Sequence, residues 1–227
     1  MAKKIIAVPV KPYYTPEQKE VLDKYFNATG EKKGCLGKNK EMSDSEYYAR
    51  VKAKKEQLGI YQKALAKLGV DHSEVQEIKP IEIVGFEYGD HTRVGLTGRY
   101  SNYYEVTWIF CSDKQLFLYS FKFDMLSDDT IEKCREYFYT DITTVYTLDE
   151  TKQINHTKLV GCKGKKEENS KSYKHYSNLY ITVPQAEFSC AVSPADNADF
   201  EANIRALKAK IRDKKHSVAG GANDSLF

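Results

Sequence analysis

The sequence predicts an α+β protein: an N-terminal helical region, about seven antiparallel strands, and one C-terminal helix. Two capping boxes ahead of 3.6-residue periodicity predict the helical part, and a switch to strict alternation near residue 75 predicts the strands. A final amphipathic segment, Phe200, Ile204, Leu207 and Ile211 at spacings of four, three and four, predicts the closing helix.

The first helix begins at "TPEQ". Thr15 caps, Pro16 suits the first helical position, and Gln18 stands three residues after the cap. Val21, Leu22, Tyr25 and Phe26 form its apolar face and Gly30 ends it, so the helix spans 15–30. The lysine- and glycine-rich "GEKKGCLGKNK" is a loop. A second box, Ser43 with Glu46, opens a helix over 43–68 with Tyr47, Val51, Leu58, Tyr61, Leu65 and Leu68 along one stripe. Gly59 is a point of kinking or division within it, and Gly69 a C-terminal cap. The stripe lacks three unbroken heptads, so it reads as intramolecular core rather than as a coiled-coil seam.

After residue 75 the strand candidates are "IEIVGFEY", "YYEVTWIFCS" and "QLFLYSFKFD", the last two joined by a short turn at Asp113 and Lys114. Val106, Trp108 and Phe110 share one face, as do Phe117, Tyr119, Phe121 and Phe123. "CREYFYTDITTVYTL" alternates on both sides of "TD", which makes Asp141 a turn residue between two strands rather than a general base, for which no partner can be named. Residues 149–177 are polar and lysine-rich and read as a long connection with at most a weak edge hairpin. "NLYITVP" and "AEFSCAV" are the last strands. The helix over 197–215 follows, its acidic residues early and its lysines late, as the helix dipole favours. Residues 216–227 lack any period and read as a flexible tail. The organisation is thus a helical region over 1–75, a β domain with its helix over 76–215, and the tail.

This order resembles that of a pleckstrin-homology-like domain, which implies an antiparallel β-barrel closed by the C-terminal helix. "ALAKLGVDHSEVQEIKPI", "YYEVTWIFCSDKQLFLYSFKFD", "EYFYTDITTV" and "FEANIRALKAKIRDKK" also resemble a family of uncharacterised bacterial cytosolic proteins common in clostridia and their relatives. The resemblance covers 62–215, with "EYFYTDITTV" its most specific part. It implies a fold and no activity. Phosphoinositide-binding domains of this type carry a Lys…Arg-x-Arg pattern between their first two strands. Here "GDHTRVGLTGRYSNYY" offers only His91, Arg93 and Arg99 without that spacing, so phosphoinositide binding does not carry over.

Composition narrows the function classes. Of 227 residues, 41% are hydrophobic and 30% charged, which fits a folded protein, and tyrosine, at 17 copies, is unusually abundant. No run approaches the ~18 apolar residues of a spanning helix, and "MAKKIIAVPVKPYY" is too short and proline-broken for a signal peptide, so the expected location is the cytoplasm. The balance of 35 basic and 32 acidic residues, a net +3, is too small to point to nucleic acid. Basic residues do concentrate at 31–67 and 205–215, where solvated helix faces are the plain reading; the functional one is an anionic membrane surface, met by the lysines of 31–67, those from Lys163 to Lys174 and the terminal helix.

The five cysteines are scattered, with no C-x-x-C, and Cys111, Cys134 and Cys190 in strands read as small apolar side chains. His156, Cys162 and His175 share one segment, but their spacing matches no familiar zinc site and a fourth ligand is not evident. "GLTG" at 95–98 precedes a strand rather than a helix and so lacks the geometry of a phosphate cradle. No catalytic motif and no cofactor are expected. The candidate binding residues are His91, Arg93, Arg99, Tyr100, Tyr103 and Tyr104, because arginine beside aromatics is the composition of interfaces. The expectation is a non-enzymatic binding or assembly module that recognises another protein, by an exposed edge strand in the first instance. An anionic lipid surface is the alternative partner, and oligomeric state is not indicated.

Overall fold

The computed structural model describes residues 13–28, 41–71, 73, 79–87, 89–94, 99–160, 165–193 and 197–221, with side chains described for these apart from 94, 99, 150–177 and 217–221. Both capping boxes form. Thr15 accepts from the Gln18 backbone while the Gln18 side chain bonds the Thr15 N–H, and Ser43 and Glu46 do the same. Helix α1 (Pro16–Val21) passes into a π-helical turn at Leu22–Phe26, closed by Asn27 N–H bonding the Leu22 carbonyl. The long helix expected over 43–68 is two. Gly59 adopts φ 57° and separates α2 (Asp44–Gln57) from α3 (Ile60–Leu68), and Gly69, at φ 64°, ends α3 as expected of a left-handed cap.

The strands are β1 (Ile81–Phe86), β2 (Thr92–Val94), β3 (Arg99–Ser101), β4 (Tyr103–Cys111), β5 (Gln115–Asp124), β6 (Thr130–Phe138), β7 (Thr144–Val160), β8 (Lys165–Val183) and β9 (Ala186–Val192). They form three antiparallel sheets, ordered β1-β4-β5-β6, β2-β3 and β7-β8-β9, and do not close into one barrel. The expected count of about seven omitted β2 and β3, a hairpin inside a segment that reads as loop. Two further expectations are corrected. Within 149–177, read as a long connection with at most a weak edge hairpin, the hairpin is the main feature: β7 and β8 pair from Thr144–Thr182 out to Val160–Lys165, with one register shift at Glu150/Thr151, and residues 161–164 lie outside the described ones. The final helix α4 (Phe200–Gly221) runs through the start of the expected tail, and residues 222–227 lie outside the described ones. The zinc combination also falls outside the described side chains.

Two hydrophobic cores flank the four-stranded sheet. On one face, Val106, Phe110, Phe117, Tyr119, Phe121 and Phe123 pack against Val21, Tyr25, Tyr47, Val51, Ala64 and Leu68 of the helices. On the other, Ile81, Ile83, Ile109 and Leu118 meet Leu179, Ile181, Phe188 and Cys190 of the second sheet, together with Phe200, Ile204, Leu207 and Ile211 of α4. The α4 stripe read from sequence is therefore core. Lys214 reaches Asp113 at the β4–β5 turn and Lys215 reaches the Ile142 carbonyl at the β6–β7 corner, which anchors the helix end between the sheets.

Asp141 lies in that corner, exposed, with its N–H bonded to the Phe138 carbonyl at 3.0 Å. It turns the chain from one sheet to the next, because β6 and β7 pair with β5 and β8 and not with each other. At the opposite margin the sheets touch through β1 and β9. Ser193 N–H bonds the Val84 carbonyl at 2.8 Å, and Asn197 bonds both backbone groups of Val84. No helix among the described residues is long and apolar enough to cross a membrane.

Candidate functional site

Four of the six residues singled out from sequence, His91, Arg93, Tyr100 and Tyr104, gather where the β2–β3 hairpin meets the helices, while Tyr103 meets Lys122 of β5 instead. Arg93 donates from Nη1 to the Tyr25 carbonyl at 3.0 Å, lies over the Tyr25 ring at 4.9 Å, and approaches Asp44 at 3.9 Å. Tyr25 stacks on Tyr47 with centroids 4.1 Å apart and planes 12° apart, and its hydroxyl donates to Asp44. Burial, with Asp44 beside it, pushes the Tyr25 phenol well above its ordinary value, so it stays a neutral donor. Tyr100 meets Tyr25, Tyr47 and Phe86 edge-on, and Tyr104, buried, meets Phe86, Tyr48 and Phe123. His91 tilts against Phe26, and Tyr103 carries Lys122 over its ring. Arg99 pairs with Val94 through the backbone, and its side chain lies outside the described ones.

The interface composition read from sequence is real, but its partner is the protein's own helical layer. Each offset aromatic pair adds about 0.5–1.5 kcal/mol beyond its burial, and Tyr47 closes the seam by donating to the Ser101 carbonyl at 2.6 Å.

Beneath the seam lies a buried polar hub. Asn102 donates to Asp124 at 2.8 Å, Leu126 N–H bonds the same carboxylate, and Ser127 adds a third bond. Lys54 of α2 reaches in and donates to the carbonyls of Asp124 at 2.7 Å and Ser127 at 3.3 Å. Burial lowers the Lys54 pKa, opposed by the nearby Asp128 and Asp124. Outside this hub, a groove of about 490 Å³ runs between α1, α2 and the 125–129 loop, lined by Glu17, Gln18, Glu20, Arg50, Lys54 and Asp128 among others. Sequence reasoning missed it. Arg50, Ala53, Lys54 and Gln57 are spaced as one helical stripe, which was visible, but the facing groups come from segments over a hundred residues apart.

A third feature is buried between the sheets. Glu105 of β4 accepts from the Ser120 hydroxyl and, at 2.8 Å, from the Ala191 N–H of β9, with Lys133 at 3.9 Å. Burial holds its carboxyl above the ordinary value against those bonds. Cys190 beside it is buried and its thiol is pushed up, so it is no nucleophile. Among the described residues no group of three or more His, Cys, Asp or Glu is arranged to hold a metal ion.

The surface itself is uneven. The exposed large apolar side chains among the described residues are Tyr13, Ile131, Phe138, Tyr146 and Leu148. The last four lie on β6 and β7, which are edge strands, each with one ladder partner. Compared with protein-family models, curated proteins and solved structures, the chain matches none.

Proposed function

We propose that the protein is a cytoplasmic, non-enzymatic binding module of pleckstrin-homology-like design that recognises a second protein through the edge formed by β6 and β7. The order of four strands, then three, then a helix packed between the sheets supports the fold assignment, with the β2–β3 hairpin as an insertion after the first strand. The observation that carries the function is the placement of Ile131, Phe138, Tyr146 and Leu148 on the two strands whose outer backbone groups have no ladder partner among the described residues. An added strand satisfies such groups and covers such side chains at once.

Two-fold antiparallel pairing of two β6 strands centred on Cys134 sets Glu132 against Glu136 and Lys133 against Arg135, like charge against like, which disfavours a second copy of the chain in that register. Three lysines of the 31–67 stretch are engaged internally: Lys55 pairs with Glu82, Lys67 with Glu132, and Lys63 lies over Phe121.

The test is retention of proteins from the native lysate at low and high salt, followed by hydrogen exchange on the purified complex. Slowed exchange at 130–138 or 144–149, with retention abolished by paired Phe138→Lys and Tyr146→Lys substitutions, is the expected result. Retention indifferent to those substitutions, or binding only to anionic liposomes at low salt, overturns it.

A further inference from the structure

The groove between α1, α2 and the 125–129 loop stands apart from the β6–β7 edge. At about 490 Å³ it falls within the roughly 300–1,000 Å³ of small-molecule sites. Its lining carries three carboxylates, Glu17, Glu20 and Asp128, and two cations, Arg50 and Lys54. Internal pairing consumes part of this set. Glu20 takes Arg50 at 2.7 Å and Lys24 at 2.7 Å. Lys54 spends two of its three N–H groups on carbonyls and forms no ion pair among the described residues. Asp128 accepts one bond, from Gln18 at 3.3 Å, and Glu17 has no side-chain partner among the described residues. Arg50 uses one of its five donors.

These leftovers decide the ligand class. With three negative groups against two positive ones, the groove has no net positive field to retain a simple anion. A simple cation would have to sit beside the ammonium of Lys54. A wholly apolar ligand would strand the charges. A molecule with both signs a few ångströms apart answers all three objections, and Val21, Ala53 and Met125 offer apolar wall beside the charges. We propose that this groove binds a free α-amino acid, its carboxylate on the open donors of Lys54 and Arg50, its ammonium against Asp128 and Glu17, and an apolar side chain against Val21 and Met125. Half-buried Lys54 is less hydrated than a surface lysine, which strengthens its hydrogen bond to an arriving carboxylate.

Isothermal titration of the full chain with each of the twenty common amino acids, and with N-acetyl-leucine and leucine methyl ester, tests the proposal. Binding of leucine or methionine, weakened at least tenfold by either blocking group, is the expected result. Asp128→Asn keeps the acceptor for Gln18 and is exposed, so it should fold normally and lose about tenfold in affinity. Lys54→Met loosens the loop as well, so its readout is the ratio of acid to methyl ester affinity, which should collapse towards one. No heat from any amino acid at 10 mM, equal binding of the blocked forms, or unchanged affinity in Asp128→Asn each overturns the proposal.

Discussion

Gly85→Ala tests how the two sheets are joined. A Cβ at this position would stand 2.7 Å from the Ala191 carbonyl carbon, 2.8 Å from its oxygen and 2.8 Å from the Val192 nitrogen. Carbon atoms ordinarily rest about 3.5–4.0 Å apart, so β9 would have to retreat by roughly 1 Å. The obstacle is backbone, which cannot rotate aside. The retreat would stretch the Ser193–Val84 bond and the Ala191–Glu105 bond, both 2.8 Å long. Overpacking costs about 1–3 kcal/mol, and each weakened bond costs about 1 kcal/mol. The sum, about 3–5 kcal/mol, is a large share of the roughly 5–15 kcal/mol that holds a domain folded. Gly69→Ala is the matched control: φ is 64°, yet nothing lies within 4 Å of its added Cβ, so only backbone strain of about 1–2 kcal/mol applies. Urea unfolding with a common slope reads both. If Gly85→Ala costs no more than Gly69→Ala, the close β1–β9 approach does not hold the sheets together.

Two further outcomes follow from the buried polar groups. Because burial raises the folded-state pKa of Glu105 above 4.5, the folded protein holds this proton more tightly than the unfolded chain does. That contribution to stability is complete below the unfolded pKa and is lost as pH rises through the folded one. Glu105→Gln should therefore flatten part of the fall in urea midpoint above pH 4.5, and a wild-type minus variant difference independent of pH would refute it. Tyr47→Phe removes the bond to the Ser101 carbonyl and leaves that oxygen buried, so it should cost about 1–3 kcal/mol in the same unfolding assay; an unchanged midpoint would show that the hydroxyl does not hold the seam.

Elements with local signatures were legible in the sequence. Both capping boxes, the Gly59 break and the alternating faces of β4 and β5 follow from residues a few positions apart, and all of them formed. The β2–β3 hairpin escaped notice because three-residue strands are too short to show a period. The outer part of β7 and β8 escaped because residues 149–177 are polar and lysine-rich and show no alternation of apolar and polar types in the sequence. For the site, residue type was informative and the partner was not. Arg93 and Tyr100 carry the composition of an interface, but only the tertiary fold shows that Tyr25 and Tyr47 are what they meet. The groove needed α1, α2 and the 125–129 loop assembled before its charges could be added up.

The contact between α3 and β4 gives the molecule a built-in optical gauge. Trp108 is the sole tryptophan of the chain, and it meets the Tyr61 ring edge-on at 4.8 Å across the joint between the helical layer and the four-stranded sheet. Its emission colour therefore reports whether α3 is seated, while circular dichroism reports the strands and helices themselves. Were the helices to lift before the sheets melted, the two signals would part company during denaturation. Coincident curves would mean that the helical layer and the sheet come apart in a single step.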